Sequence, residues 1–170
     1  VTIKDSMGRE WQCSTIQVDF FLPQNFELYY ISNEGKKERP VIIHQALLGS
    51  LERFFGILLE HFKGHLPFWI CPTQIKVIPI TSDQLEYAQG ITNKLQELGL
   101  RTMLDESSEP LSAKIKTAQL AKTPWMLVVG QKELENSTIT LRHVTGKQEF
   151  GLTIDEIITK AKQANHVDKI

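Results

Sequence analysis

The sequence predicts an α/β (α+β) protein in two parts, an antiparallel-sheet fragment over residues 1–72 and a mixed-sheet α/β domain over residues 73–170. Three observations carry that expectation. Early segments alternate apolar and polar side chains with the period of a strand. An intensely apolar helix follows and ends in "KGHLPFWICP", where Gly64, Pro67 and Pro72 break regular structure and mark a boundary near Pro72. Beyond it, β-like runs and amphipathic helical stretches take turns.

In chain order, "WQCSTIQVDFFL" (Trp11 to Leu22) reads as one strand. Cys13, Thr15, Gln17 and Asp19 lie on one face and Gln12, Ser14, Ile16, Val18 and Phe20 on the other. "FELYYIS" (Phe26 to Ser32) reads as a second strand, "NEGKKERP" as a turn, and "VIIHQALL" (Val41 to Leu48) as a third strand. From Leu51 to about Phe62 the pattern leaves hardly any polar side, as in a helix packed all round.

In the second part "QIKVIPI" (Gln74 to Ile80) is a strand. A helix opens at Thr81 or Ser82 with Asp83 and Glu86 in its first turn, buries Leu85, Ala88, Ile91, Leu95 and Leu98, and stops at Gly99. "LRTML" is a short strand, "DESSEP" a loop, "LSAKIKTAQLAK" a helix, and "WMLVVG" a buried strand. "STITLRHV" and "QEFGL" form a hairpin about Gly146. The last helix opens with Thr153 and Glu156 at capping-box spacing and buries Ile154, Ile157, Ile158 and Ala161.

The formal net charge is −1, so bulk attraction to nucleic acid is excluded as a driving force and any such contact must be local. Two distant cysteines, Cys13 and Cys71, point to a reducing compartment, the cytoplasm, with no disulfide framework. The apolar runs fall short of the ~20 residues of a membrane-spanning helix. No signal-peptide pattern opens the chain, and Val1 at the start suggests a processed chain or an internal fragment.

The apolar helix carries Glu52 and Arg53 in its first turn, where a cation opposes the helix dipole. The pair reads as an ordinary ion pair on an exposed rim, or as an anion site. Gly49-Ser50 frees the backbone for close approach by a ligand, and a phosphate would satisfy both the guanidinium fork and the helix N-terminus.

"GREWQCSTIQVDFFLP" followed by "RPVIIHQALLGSLERFFGILLEH" resembles the C-terminal half of the catalytic domain of threonyl-tRNA synthetases. "LGSLERFFGILLE" is similar to the third signature of class II synthetases. The second part resembles the anticodon-binding domain that the threonyl, prolyl, histidyl and glycyl enzymes share. The resemblance implies an enzyme that activates threonine with ATP and Mg2+ and transfers it to tRNA(Thr) as a cytoplasmic homodimer, without a membrane.

By the same resemblance Arg53 binds ATP phosphate, Gln12 and Thr15 contact the nucleotide, and Ser50 lies near adenosine or the threonyl group. Gln17 sits near the amino-acid pocket, is paired with Arg53 in catalysis, and Glu52 orients Arg53. His44 matches one of three ligands of a zinc ion, one per subunit, whose other two lie upstream of Val1; Cys13 is not the zinc cysteine. The residues alone read otherwise: His44 as a core histidine, Gln12 as polar on a solvated face. Because the alternation sets Gln12 opposite Thr15 and Gln17, a bulge or edge near Gln12 is needed to aim all three at one site.

In the second part the resemblance implies anticodon contacts at Glu133, a base-amino acceptor, and at Arg142, a fork onto guanine. Residues 73–170 hold 12 basic and 12 acidic side chains, so placed contacts must do the reading. Lys114, Lys116 and Lys122 add local positive charge or are plain surface lysines. Gln45 stands where relatives carry arginine. Glu106 to Lys116 replaces the family's "R-N-E-K-x-G-x-K-I-R" loop, with Ser108 at the asparagine position and Lys116 at an arginine position. With two class II signatures and two zinc ligands outside it, the chain alone is expected not to aminoacylate. The alternatives are a non-catalytic tRNA- or protein-binding module and a prolyl- or glycyl-type synthetase.

Overall fold

The computed structural model describes residues Val1–Asn165, so residues 166–170 of the expected second domain lie outside the described residues. The chain divides into two compact units, Val1–Gly64 and His65–Ile170. The division falls ahead of Pro72 because Phe68 packs in the core of the second unit. Gln74 and Arg101 also hold the carbonyls of Phe68, Trp69 and Cys71.

The first unit is a set of two-stranded ladders. β1 (Thr2–Lys4) pairs antiparallel with β2 (Glu10–Gln12), and β3 (Thr15–Asp19) pairs antiparallel with β6 (Ile42–Ala46). β4 (Tyr30–Ile31) pairs antiparallel with β5 (Lys37–Glu38). The single strand expected from Trp11 to Leu22 is thus broken. At Cys13 and Ser14 the backbone N–H groups donate to the Val1 carbonyl, outside the β3–β6 ladder. At the far end Asp19 accepts from the backbone of Phe21 and Leu22 and starts α1 (Phe21–Asn25).

The strand expected from Phe26 shrinks to β4, since Glu27 adopts a positive φ and Leu28 donates back to Pro23. The expected turn supplies β5. α2 (Leu51–His61) forms where expected, yet none of its residues is buried in this unit; Leu51 is 66% and Phe55 50% exposed. The all-apolar pattern therefore finds no matching cover among the described residues.

The second unit is a five-stranded mixed sheet of order β11-β10-β9-β7-β8. β7 (Ile75–Pro79) runs parallel to β8 (Thr102–Leu104) and β9 (Trp125–Val129); β10 (Ile139–His143) runs antiparallel to β9 and to β11 (Gln148–Leu152). Between them lie α3 (Leu85–Glu97), α4 (Leu111–Leu120) and α5 (Gln131–Asn136), with α6 (Ile154–Ala164) last.

Alternation assigns the sheet's two faces. Ile75, Val77, Trp125, Leu127 and Val129 pack with Ala88, Ile91 and Leu95 of α3 and Ile157 and Ala161 of α6. Ile78 and Met126 pack on the other face against Ala118 of α4. Each fully buried aliphatic side chain in this core contributes about 1.5–3 kcal/mol.

Two details of the helices differ from expectation. α3 buries the middle of its stripe, while Leu85 and Leu98 at its ends stay exposed. α5 was not anticipated: its six residues, QKELEN, hold one apolar side chain and so no periodic signal. α6 carries the expected capping box, Thr153 accepting from the Glu156 N–H and Glu156 accepting from that of Thr153.

Candidate functional site

In the first unit the expected residues gather at two places. The first surrounds Arg53. Ser50 caps α2, accepting from the Arg53 backbone at 3.4 Å and donating to Glu52 at 2.8 Å. Glu52 is therefore held by Ser50, whose hydroxyl, after a backbone amide, keeps its carboxyl below the usual range. Among the described residues no ion pair joins Glu52 to Arg53, contrary to the expected orienting role.

The Arg53 guanidinium lies 5.2 Å from the centre of the Trp11 ring and donates to the Gln12 carbonyl at 3.4 Å. A cation over an exposed ring gains about 0.5–1 kcal/mol. That matches the roughly 0.3–1 kcal/mol at stake when a charge sits at a helix end. The ring thus offsets the dipole, and the exposed guanidinium is neither locked by carboxylates nor turned away from the fold.

Gly49 has φ +67°, and a Cβ there would lie 3.2 Å from the carbonyl oxygens of Gln12 and Cys13. The close approach expected for a ligand is here an approach to the protein's own backbone, which seats α2 against β2. The Trp11 platform is itself anchored. Its indole N–H donates at 2.9 Å to Asp5, which also accepts from Arg9 at 2.6 Å and from the backbone of Met7 and Arg9. The Trp11 bond first, with those from Arg9 and Met7, holds the Asp5 carboxyl down to about 2 against its burial.

Sequence reasoning missed Asp5. The signal was "DSMG", an aspartate with glycine three residues on, the pattern of a tight turn.

The second place is one face of the β3–β6 ladder. Gln17 pairs directly with His44 and Thr15 with Ala46, so Thr15, Gln17, Asp19 and His44 share a side. His44 Nε2 lies 2.9 Å from Asp19 Oδ2, and the Leu22 amide, then His44, lowers the Asp19 carboxyl. Gln17, Asp19 and His44 line an open cleft with Phe20 and Phe21. His44 is thus a half-exposed surface histidine, not a core one. Gln12 belongs to the other ladder, so the break at Cys13-Ser14 stands where a bulge was expected; its carbonyl, rather than its side chain, meets Arg53. Cys13 is buried.

As a metal ligand, His44 offers an imidazole with one nitrogen on a carboxylate. Among the described residues no group of three His, Cys, Asp or Glu side chains could hold a metal ion, so His44 would be one ligand of a larger set. No helix of the described residues is long and apolar enough to cross a membrane.

In the second unit Glu133 is tied to β10, the strand that carries Arg142, through Thr140. Glu133 Oε2 accepts from the Gly130 backbone at 3.0 Å and Oε1 from Thr140 Oγ1 at 2.8 Å, so both its oxygens already serve the fold. Arg142 lies on β10 between Met126 and Gln148, and its Nε is buried without a hydrogen-bond partner among the described residues. Ser108 and Lys116 are exposed, on the loop after β8 and on α4.

Lys114 is no surface lysine. It is 4% exposed and donates to the Pro79 carbonyl at 3.1 Å. Beside it, Asp105 and Lys76 form a largely buried ion pair at 2.8 Å. Burial pushes the Asp105 carboxyl up, but Lys76 and Ser107 together bring it below its ordinary value. Asp105 and Lys114 line a cleft of about 430 Å³ at the C-terminal ends of β7 and β8, with Thr81, Ser107 and Ser108.

Residues 74–164 match the family described as "Anticodon binding domain", and residues 1–62 match "tRNA synthetase class II core domain (G, H, P, S and T)". A threonine–tRNA ligase of a Sulfurihydrogenibium species is 49% identical over 163 residues, 96% of this chain and 25% of that protein. The Campylobacter lari ligase is 46% identical over 96% of this chain and 27% of its own. The chain thus spans about a quarter of the length of these curated relatives.

Among solved structures, the RNA binding domain of threonyl-tRNA synthetase from Cryptosporidium parvum superposes with a TM-score of 0.80 at 40% identity, covering 96% of this chain and 42% of that one. A Giardia lamblia prolyl-tRNA synthetase shares the fold, with a TM-score of 0.68 at 20% identity over 96% and 38%. The chain belongs to the anticodon-binding-domain family through residues 74–164, and its residues 1–62 are similar to the class II synthetase core.

Proposed function

We propose that the chain is a working part of a threonyl-tRNA synthetase, which activates threonine with ATP and Mg2+ and esterifies it to tRNA(Thr). The second unit reads the anticodon, and the first supplies part of the catalytic site. The observation that carries this reading is Arg142: a guanidinium on the sheet of an anticodon-domain fold, with a buried N–H that no described residue satisfies. An unpaired buried donor costs about 1–3 kcal/mol, so a shift of the guanidinium that lets a ligand accept from it has a ready gain.

Arg142 forks onto a guanine edge, and Glu133 shares an oxygen with a base amino group while holding Thr140. Ser108, on the loop after β8, and Lys116, on α4, contact the anticodon strand; a lysine there gives a point charge rather than a bidentate contact.

In the first unit Arg53, steadied on Trp11, meets ATP phosphate beside Gln12, Thr15 and Ser50, and Gln17 faces the amino acid. His44 contributes one ligand to a zinc ion completed by residues outside the chain. When bound, such an ion supplies a Lewis acid that selects threonine's hydroxyl over isosteric valine. The working protein is a cytoplasmic homodimer, and this portion alone does not aminoacylate. Identity of 43–49% to threonine–tRNA ligases, against 20% to the prolyl enzyme, favours the threonyl branch.

Binding of the whole chain to a threonine anticodon stem-loop tests the proposal. Replacing the anticodon guanine, or making Arg142→Ala, is expected to cost about 1–3 kcal/mol, roughly 5- to 150-fold in affinity. A chain that binds RNA equally well whatever the anticodon is a general interaction module, and the proposal then fails.

A further inference from the structure

We propose that Asp19 is the positioning residue of His44 and fixes its tautomer, so that Nδ1 is presented unprotonated to a divalent metal ion; this rests on the zinc reading of His44. Asp19 stands where β3 turns into α1. Its Oδ1 accepts from the backbone N–H groups of Phe21 at 2.8 Å and Leu22 at 3.0 Å, which pins the carboxylate. The other oxygen, Oδ2, lies 2.9 Å from His44 Nε2 across the β3–β6 ladder.

An ionised carboxylate only accepts hydrogen bonds. In the neutral imidazole the proton must therefore sit on Nε2, and the lone pair is left on Nδ1. No described residue partners Nδ1, and the His44 side chain is 45% exposed on an open cleft. A carboxylate on the far nitrogen is the general device that orients a metal-binding histidine and raises its basicity. A surface ion pair made for stability alone gains about 0–1 kcal/mol and needs no backbone clamp.

The alternative is that Asp19 merely starts α1, and Asp19→Asn separates the two roles. The asparagine oxygen still accepts from Phe21 and Leu22, but its amide donates to Nε2, which moves the ring proton to Nδ1. Long-range 1H–15N correlation of the whole chain reads the tautomer directly.

The expected result is the Nε2–H form in the native chain and the Nδ1–H form in Asp19→Asn, with the Phe21 and Leu22 amide signals in place. In the full-length synthetase, where the other ligands are present, Asp19→Asn is expected to weaken zinc affinity by about 10- to 100-fold. A native Nδ1–H form, or a tautomer indifferent to Asp19→Asn, overturns the proposal and leaves the zinc reading untouched. A full-length synthetase that holds zinc without His44, shown by unchanged zinc content in His44→Ala, overturns the zinc reading, and the proposal with it.

Discussion

Arg53 illustrates how a residue can stand at an unfavourable place at little net cost. The helix dipole opposes it, the Trp11 ring offsets that, and Asp5 holds the ring. The anchor is pH-dependent in a defined sense. Because the folded Asp5 carboxyl lies near about 2, below its ordinary 3.8, its contribution is complete above pH ~4 and is lost as pH falls toward 2. The Trp11 indole N–H signal is expected to hold its position down to pH ~4 and to move only below it. A change centred above pH 4 would contradict the Asp5 clamp.

At this scale the sequence spoke unevenly. Spacing pointed to Arg53 and Ser50, and the β period put Gln17 beside Thr15. Asp5 and the Asp19–His44 contact stayed hidden, because each depends on a chain reversal whose partner no local pattern names.

At the level of elements, the second unit was readable and the first was not, for one physical reason. β7, β9, α3 and α6 bury a continuous face, so their periodicity reports packing that exists within the unit. The strands of the first unit pair only two by two, so pattern there overstated their length. α5 escaped notice because its role is polar: Glu133 ties Gly130 to Thr140.

Lys76, in the middle of the apolar "QIKVIPI", is explained by Asp105 on the loop after β8. Lys76→Met is expected to strand a buried carboxylate and to destabilise the second unit by roughly 3 kcal/mol in urea unfolding. Adding Asp105→Asn is expected to recover much of that loss. Additive effects of the two changes would mean the pair does not act as one.

Among the described residues the packed core lies in the second unit, on both faces of its sheet. Limited proteolysis is expected to cut first within the first unit or near Gly64, leaving a product that contains residues 74–164 and keeps a cooperative melt. Loss of that melt on cleavage would show that the second core depends on the first unit.

The two-stranded β3–β6 ladder has a further consequence. Each of its strands has one rail of backbone donors and acceptors that no described strand takes up, and Ile16, Val18 and Ile43 stand exposed upon it. Such a ladder is a template: any extended segment that meets it can be stitched on, register set by the same alternation. At high concentration the nearest extended segment belongs to another copy, so self-association is expected to start here, and Val18→Lys is expected to slow it in light scattering.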